Sequence, residues 1–331
     1  MEIDSVHFEY LGQLIKETKI KLARSVNAEL VNLYWQIGEY LSQQIEKQGW
    51  GKSVVVQFAN YLQMTEFSGP GFSDKNLWRM KQFYETYHNY PKLSAVLREI
   101  TWTNHLMIFS KTKTIEEKEF YIRLCVKERY SSRELERQMN SALFERTMLG
   151  NAKLSSTMRV LPQDIGSIFR DSYVLEFLDL PEVHLEKDLK SLIATNIRTF
   201  LLEFGKDFAF LGEEYRLQVG NHDFFIDLLF YNRSLSCLIA IELKVVEFSP
   251  EHLGQLNFYL EALDRDMKKS CENPSIGILL CKSKDETVVE YALGRTLSPT
   301  LVADYQTKLP DKKILQAHLQ QLFDSGSFEQ E

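Results

Sequence analysis

Cysteine is scarce in this chain. Four occur in 331 residues, Cys125, Cys237, Cys271 and Cys281, and no two share a C-x-x-C spacing. That excludes a disulfide scaffold and argues against a zinc site. Three of the four sit in apolar or strand-like stretches and read as buried free thiols. Long apolar runs are also missing: nothing approaches the roughly 20 residues that a membrane helix requires. Met1-Glu2-Ile3-Asp4 lacks the basic-then-apolar layout of a signal peptide. The expected setting is therefore a reducing cytoplasm, with no membrane partner. Neither a Gly-rich phosphate loop nor a Gly-x-Ser-x-Gly elbow is present, so nucleotide-driven and serine-hydrolase chemistry have no starting point. His184, His222 and His252 share no ligand spacing. Internal repeats and low-complexity segments are absent.

A basic surplus is missing too. Lys and Arg number 39 against 46 Asp and Glu, a net charge of −7. Taken whole, this weighs mildly against a nucleic-acid partner. The halves differ, however: residues 1–150 hold 20 basic against 18 acidic side chains (+2), and residues 151–331 hold 19 against 28 (−9). A local basic patch can carry nucleic-acid affinity whatever the total charge, so the total decides nothing.

What the chain has in quantity is core material, 44% hydrophobic and 12% aromatic residues, ample for one or two domains. The first half carries helical periodicity. Leu11, Leu14, Ile15, Leu22, Val26, Leu30, Leu33, Ile37 and Leu41 place a long or broken amphipathic helix over residues 8–46, and a second helix follows at 52–64. Phe67-Ser68-Gly69-Pro70-Gly71-Phe72 is a turn signal. Ser73 and Asp74 then cap a third helix running to about Tyr87. Helices continue at 93–98, 103–110 and 116–128, and Ser131 with Glu134 forms a capping box for one reaching about Phe144. The pair flanking the Gly-Pro-Gly turn could form a helix-turn-helix that offers Lys75, Arg79 and Lys81 to a duplex. The plainer alternative is a packed helical domain with a solvated basic face. The turn is longer than that motif's usual one, so a winged or variant form is the safer description.

Gly150-Asn151-Ala152-Lys153-Leu154-Ser155-Ser156 begins a polar connection that Pro162 and Pro181 punctuate. This divides the chain into a helical domain at 1–150, a connecting segment at 151–183 and a second domain at 184–331. There the pattern changes: a helix from Leu185 to about Phe204, ended by Gly205, then strands at 208–211, 214–219, 223–231 and 236–244. Ser249-Pro250-Glu251 opens a helix to about Leu263, and Ile276 to Cys281 suits a buried strand. The order reads as α/β.

The informative residues lie on two of these strands. Asp227 interrupts Phe225-Ile226-Asp227-Leu228-Leu229-Phe230, and Glu242 interrupts the apolar run from Leu238 to Val246. A buried carboxylate needs a partner. Residues i and i+2 of a strand share a face, so Glu242 and Lys244 point together while Leu243 points into the core. Two hard oxygen ligands suit Mg2+, with Mn2+ as a substitute, and an adjacent ammonium can polarise water or stabilise charge on a phosphate. The pattern reads as a metal-dependent phosphodiester-cleaving site. The competing reading is structural, a salt bridge or ion pair, although a Glu242–Lys244 pair alone leaves Asp227 unexplained.

Asp227 followed by Glu242-Leu243-Lys244 resembles the PD-(D/E)XK nuclease superfamily. Phe200-Leu201-Leu202-Glu203-Phe204-Gly205, Asp227-Leu228-Leu229-Phe230-Tyr231, Gly254-Gln255-Leu256-Asn257-Phe258-Tyr259-Leu260 and Glu290-Tyr291-Ala292-Leu293 are similar to words of the YhcG-like nuclease family. So are Leu77-Trp78-Arg79-Met80-Lys81-Gln82-Phe83-Tyr84, Trp102-Thr103 and Arg133-Glu134-Leu135-Glu136-Arg137-Gln138. The resemblance covers nearly the whole chain. It implies an α-β-β-β-α-β nuclease core behind a helical DNA-binding domain, and a Mg2+-dependent DNA endonuclease or other nuclease. It also implies a catalytic set of Glu186, Asp227, Glu242, Lys244 and Gln255, with Asp227, Glu242 and the Leu243 carbonyl as metal ligands.

Glu186 matches the family's first-helix acid, though a Glu in a first helical turn is also favoured by the helix dipole alone. Gln255 matches a glutamine that orients water or phosphate, against the plainer reading of a surface residue. Tyr259, four residues on, reads as core. Arg216 could hold a phosphate at the cleft mouth. The chain departs from relatives at Lys190, where Glu is frequent, and at Glu213-Glu214, where Arg-Gln is frequent. These departures motivate the alternative of a non-catalytic DNA-binding or assembly protein that retains a nuclease fold. A glycosidase-like carboxylate pair fits poorly with Lys244 between the acids. A homodimer would supply two sites for cutting two strands, with the long first helix as its candidate interface.

Overall fold

The computed structural model describes residues 5–48, 51–64, 71–150, 154–159 and 168–324. Two compact units divide the chain, Met1–Glu136 and Arg137–Glu331. Most of the expected Gly-Pro-Gly turn lies outside the described residues, as do Pro162 and Asn151–Lys153 of the polar connection.

The first unit is helical among its described residues: α1 (Ser5–Gln48), α2 (Lys52–Met64), α3 (Asp74–Tyr87), α4 (Ser94–Leu97), α5 (Trp102–Lys111), α6 (Ile115–Glu128) and the start of α7 (Ser132–Asn140). Hydroxyl caps set the helix starts. The Ser73, Thr101 and Thr114 side chains accept from the backbone N–H three residues on, satisfying donors that the helix itself cannot. Ser131 and Glu134 complete their capping box in both directions, at 2.6 and 3.4 Å. The apolar face of α3, Leu77, Met80, Phe83 and Tyr87, is fully buried. Tyr34, Leu41, Val55 and Ala59 from α1 and α2 pack with Leu77 and Met80. Gly38 permits the α1–α3 approach, since a Cβ there would fall 2.1 Å from the Met80 carbonyl oxygen. The helix expected to reach Phe144 instead ends at Asn140. Ala142 takes a left-handed conformation (φ 51°), and α8 (Leu143–Leu149) begins anew.

The second unit also holds α9 (Ser156–Arg159), β1 (Ser172–Val174), α10 (Glu186–Thr195), α11 (Ile197–Phe204), β2 (Phe208–Val219), β3 (His222–Asn232), β4 (Cys237–Glu247), α12 (His252–Asp266), β5 (Ile276–Ser283), α13 (Glu286–Leu293), β6 (Thr300–Gln306) and α14 (Lys312–Asp324). Six strands form one mixed sheet in the order β1-β6-β5-β4-β3-β2. Strands β2 to β4 pair antiparallel through hairpins; β4, β5, β6 and β1 run parallel. One sheet face packs on α10 and α11 through Leu189, Ile193, Phe200 and Phe204. The other packs on α12 through Leu256, Leu260 and Leu263. The α-β-β-β-α-β order is present, with β6 and β1 extending it. β1 falls inside the stretch whose sequence reads as connection, because three residues are too short to leave a periodic signal.

Two other expectations change. The helix expected over 185–204 breaks at Asn196, whose side chain turns back to the Leu192 carbonyl at 3.0 Å. Short amides compete with the helix ladder in this way. The two strands expected at 208–211 and 214–219 are one strand, carrying a bulge after Phe210 and a left-handed Glu214 (φ 45°).

Glu203, fully buried on α11, gathers α7, α8 and the β1 region. It is paired with Arg137 and Arg170 at 2.9 Å each and Arg146 at 3.3 Å, and accepts the Val174 N–H at 3.1 Å. Burial alone would push its carboxyl up, but the three guanidiniums outweigh that and hold it at about 2.

Candidate active site

The site forms where β3 parts from β4. The paired residues end at Leu228↔Ile241, and β4 continues beside β5 through Glu242↔Leu279 and Lys244↔Cys281. Past that point the Leu243 N–H has lost its neighbour on β3. The Asp227 side chain replaces it, with Oδ2 accepting that N–H at 2.8 Å. Leu243 is fully buried in the core on the α10 side, so Glu242 and Lys244 project together on the other face, as strand alternation requires. Lys244 Nζ donates to Glu242 Oε1 at 2.8 Å.

Glu242 is 2% exposed, and its Oε2 is buried with no hydrogen-bond partner among the described residues. Burial, then the Asp227 charge, pushes its carboxyl up to about 7. Burial disfavours the Lys244 ammonium, but Glu242, Glu186 and Asp227 outweigh it and raise its pKa. Lys244 is therefore a cation in the site, able to donate hydrogen bonds and stabilise negative charge. Glu186, at the first position of α10, lies between two ammoniums. Its Oε2 is 3.9 Å from Lys244, and its Oε1 is 3.9 Å from Lys190.

Comparison with known families covers both parts of the chain. Residues 166–320 match the family described as the YhcG PDDEXK nuclease domain, and residues 10–146 match the DUF1016 N-terminal domain. Both parts of the chain are thus similar to the two domains of the YhcG-like nucleases. A curated relative, "Putative nuclease YhcG" from Escherichia coli (strain K12), is 29% identical over 340 aligned residues, covering 91% of this chain and 90% of the relative. Two solved structures overlap far less. A repair endonuclease from Pyrococcus abyssi has TM-score 0.26 and 16% identity, over 39% of this chain and 49% of that one. EndoMS in apo form has TM-score 0.25 and 18% identity, over 40% and 49%. Overlaps at that level carry no weight for function.

Within this YhcG-like site, the sequence-derived set is partly assembled. Asp227, Glu242, Lys244 and Glu186 come together. Gln255 is exposed on α12 and donates to the Tyr259 hydroxyl at 2.7 Å. Tyr259 is buried as expected, and the charges of Glu242, Asp227 and Lys244 reach it. Arg216 is paired with Asp223 at 2.9 Å on the β2–β3 hairpin, and its side chain is 58% exposed. In the first unit, Lys75 and Arg79 are exposed on α3, one turn apart. Lys81 is tied to Glu85 at 2.6 Å.

Three side chains join the site without having been assigned to it by sequence. Lys190 Nζ donates to Asp227 Oδ1 at 2.7 Å and lies 4.0 Å from Glu214. Register pairs Glu213↔Leu228 and Tyr215↔Ile226 bracket Glu214 and Asp227, which brings that glutamate across from the aspartate. The i, i+4 spacing of Glu186 and Lys190 was the available signal for the lysine. Glu214 stood out only as part of the Glu213-Glu214 departure from relatives, because the strand irregularity that aims it at Asp227 is invisible in composition. His252 accepts the Ser249 N–H at Nδ1 (3.1 Å), and its pKa is lowered by burial and by Lys244.

Proposed function

We propose that the chain is a divalent-metal-dependent nuclease acting on DNA, with its reaction centre at Asp227, Glu242 and Lys244. The observation that carries this reading is the buried, unpartnered Oε2 of Glu242, set between Asp227 and Lys244 where two strands separate. An orphaned buried carboxylate oxygen is costly, and a cation relieves it. Among the described residues no three His, Cys, Asp or Glu side chains form a metal-holding group. Two carboxylates suit Mg2+, which keeps water and substrate oxygens among its ligands. Asp227 and Glu242 would hold the ion, with the Leu243 carbonyl as a further ligand. Bound there, it would polarise a phosphodiester oxygen and make water more acidic.

The protein's own groups do the rest. Lys244, kept charged, stabilises the negative charge that builds on the attacked phosphate. The Leu243 N–H fixes the Asp227 carboxylate so that it need not reorganise. Glu186 holds Lys244 from the far side, and Gln255 with Tyr259 orients water or phosphate at the α12 rim. Lys75 and Arg79 of the helical domain, and Arg216 on the hairpin, supply phosphate contacts.

One observation favours a second reading, a non-catalytic DNA-binding or assembly protein. Lys190 already occupies Asp227 Oδ1. The test is cleavage of labelled linear, nicked and four-way DNA with Mg2+ or Mn2+. Wild-type cleavage that Lys244→Ala abolishes, with folding and DNA binding retained, supports the nuclease. Binding without cleavage across these substrates and both metals moves the assignment to the second reading.

A further inference from the structure

Resting on the nuclease reading above, we propose that Lys190 is a built-in counter-ion that restricts the site to a single divalent cation. The Asp227 carboxylate has two oxygens, and the backbone of Leu243 holds one of them. The other, Oδ1, accepts from the Lys190 ammonium at 2.7 Å. The same ammonium lies 3.9 Å from Glu186 and 4.0 Å from Glu214. Three carboxylates thus face one nitrogen, and Lys190 supplies the positive charge between them.

Lys244 repeats the pattern on the other side of Glu186, against Glu242 at 2.8 Å and Glu186 at 3.9 Å. The two halves differ in one respect. On the Lys244 side a carboxylate oxygen, Glu242 Oε2, is left without a partner. On the Lys190 side both Asp227 oxygens are engaged. An added cation would therefore sit at Glu242 and the adjoining edge of Asp227, while on the other side Lys190 stands 3.9 and 4.0 Å from Glu186 and the more exposed Glu214.

Charge leads to the same count. With Glu242 ionised, as ion binding requires, Glu186, Glu214, Asp227 and Glu242 contribute −4, and Lys190 with Lys244 contributes +2, leaving −2. One divalent ion neutralises the site. A second would leave two uncompensated positive charges beside Lys190, whose side chain is only 21% exposed and so incompletely screened. A two-ion centre also needs carboxylates shared between ions about 4 Å apart, and the shared oxygen here is already bonded to an ammonium. Lys190 acts as a positioning residue: it fixes Asp227 and fills the second cation position without touching the reacting phosphate.

The experiment counts Mn2+ bound to the full chain, by calorimetric and electron paramagnetic titration. Wild type, Lys190→Glu, Lys190→Met and Asp227→Ala are compared after circular dichroism has confirmed folding. The expected counts above the Asp227→Ala background are one for wild type and two for Lys190→Glu. Lys190→Met, which keeps the aliphatic stem and loses the charge, should bind its ion at least about tenfold more tightly. Two ions in wild type, equal counts in wild type and Lys190→Glu, or unchanged affinity in Lys190→Met overturns the inference. Cleavage by wild type that Lys244→Ala abolishes would leave the nuclease reading standing in each of those cases. Neither Mn2+ nor cleavage in wild type would overturn both.

Discussion

Glu242 sits under opposing demands. Water is excluded from it and Asp227 repels it, which together hold its proton up to about pH 7, against 4.5 for an ordinary glutamate. The native state then binds a proton between pH 4.5 and 7 that the unfolded chain has released. Stability contributed by this group is full below that window and falls as pH rises through it. Thermal unfolding in chelator should show a Tm that drops from pH 5 to pH 7.5 in wild type and drops less in Glu242→Gln. Equal drops would remove Glu242 as the source. The same residue accounts for what sequence showed at this scale. An acid within Ile239-Ala240-Ile241-Glu242-Leu243 is conspicuous because apolar neighbours guarantee its burial. Lys190 was noticed as a departure, but its bond to Asp227 depends on how α10 lies over β3, which spacing within one helix cannot reveal.

Among elements, the Glu203 cluster shows how the site's supports are joined. Three guanidiniums, the Val174 N–H and the Gln138 side-chain amide converge on a carboxylate with no access to water, linking α11 to α7, α8 and β1. Glu203→Gln removes the carboxylate from Arg146 and Arg170, while Arg137 keeps Glu176 at 2.9 Å, and we expect a loss of about 3–5 kcal/mol in chemical denaturation. The pH sign is opposite to that of Glu242. A carboxyl held at about 2 in the folded state stabilises fully above its unfolded value, and that stability is lost as pH falls through 4.5 towards 2. Acid unfolding of wild type should therefore be steeper than that of the variant; parallel acid limbs would contradict this. α10 and α11 depend on this anchoring because Asn196 interrupts them. The apolar stripe Leu189, Ile193, Phe200 and Phe204 was legible from spacing, whereas the break was not. Likewise β5 can pack closely on α12 because Gly277 has no side chain: a Cβ there would lie 2.9 Å from Leu256.

At the scale of the whole molecule, charge is divided between the halves, +2 over residues 1–150 and −9 over residues 151–331, and affinity for DNA should follow the first. Lys75 and Arg79 are exposed and one helical turn apart, whereas Lys81 is held by Glu85. Lys75→Ala with Arg79→Ala should weaken duplex binding uniformly across sequences. It should also lower the slope of log affinity against log salt by about 2, at roughly 0.9 per phosphate contact. Lys81→Ala should change little. Unaltered binding in the double variant would place the DNA surface elsewhere. No helix among the described residues is long and apolar enough to cross a membrane.

Sequence by itself determined the helical first half and the α-β-β-β-α-β order. It also picked out Asp227, Glu242 and Lys244, because periodicity, caps and buried charges are local signals. Tertiary structure decided that β1 and β6 extend the sheet, and it placed Glu214 and Lys190 beside Asp227. It also left one oxygen of Glu242 without a partner. Those outcomes depend on strand register, on a bulge and on how a helix crosses a sheet, and all three arise only from contacts between residues far apart in the chain.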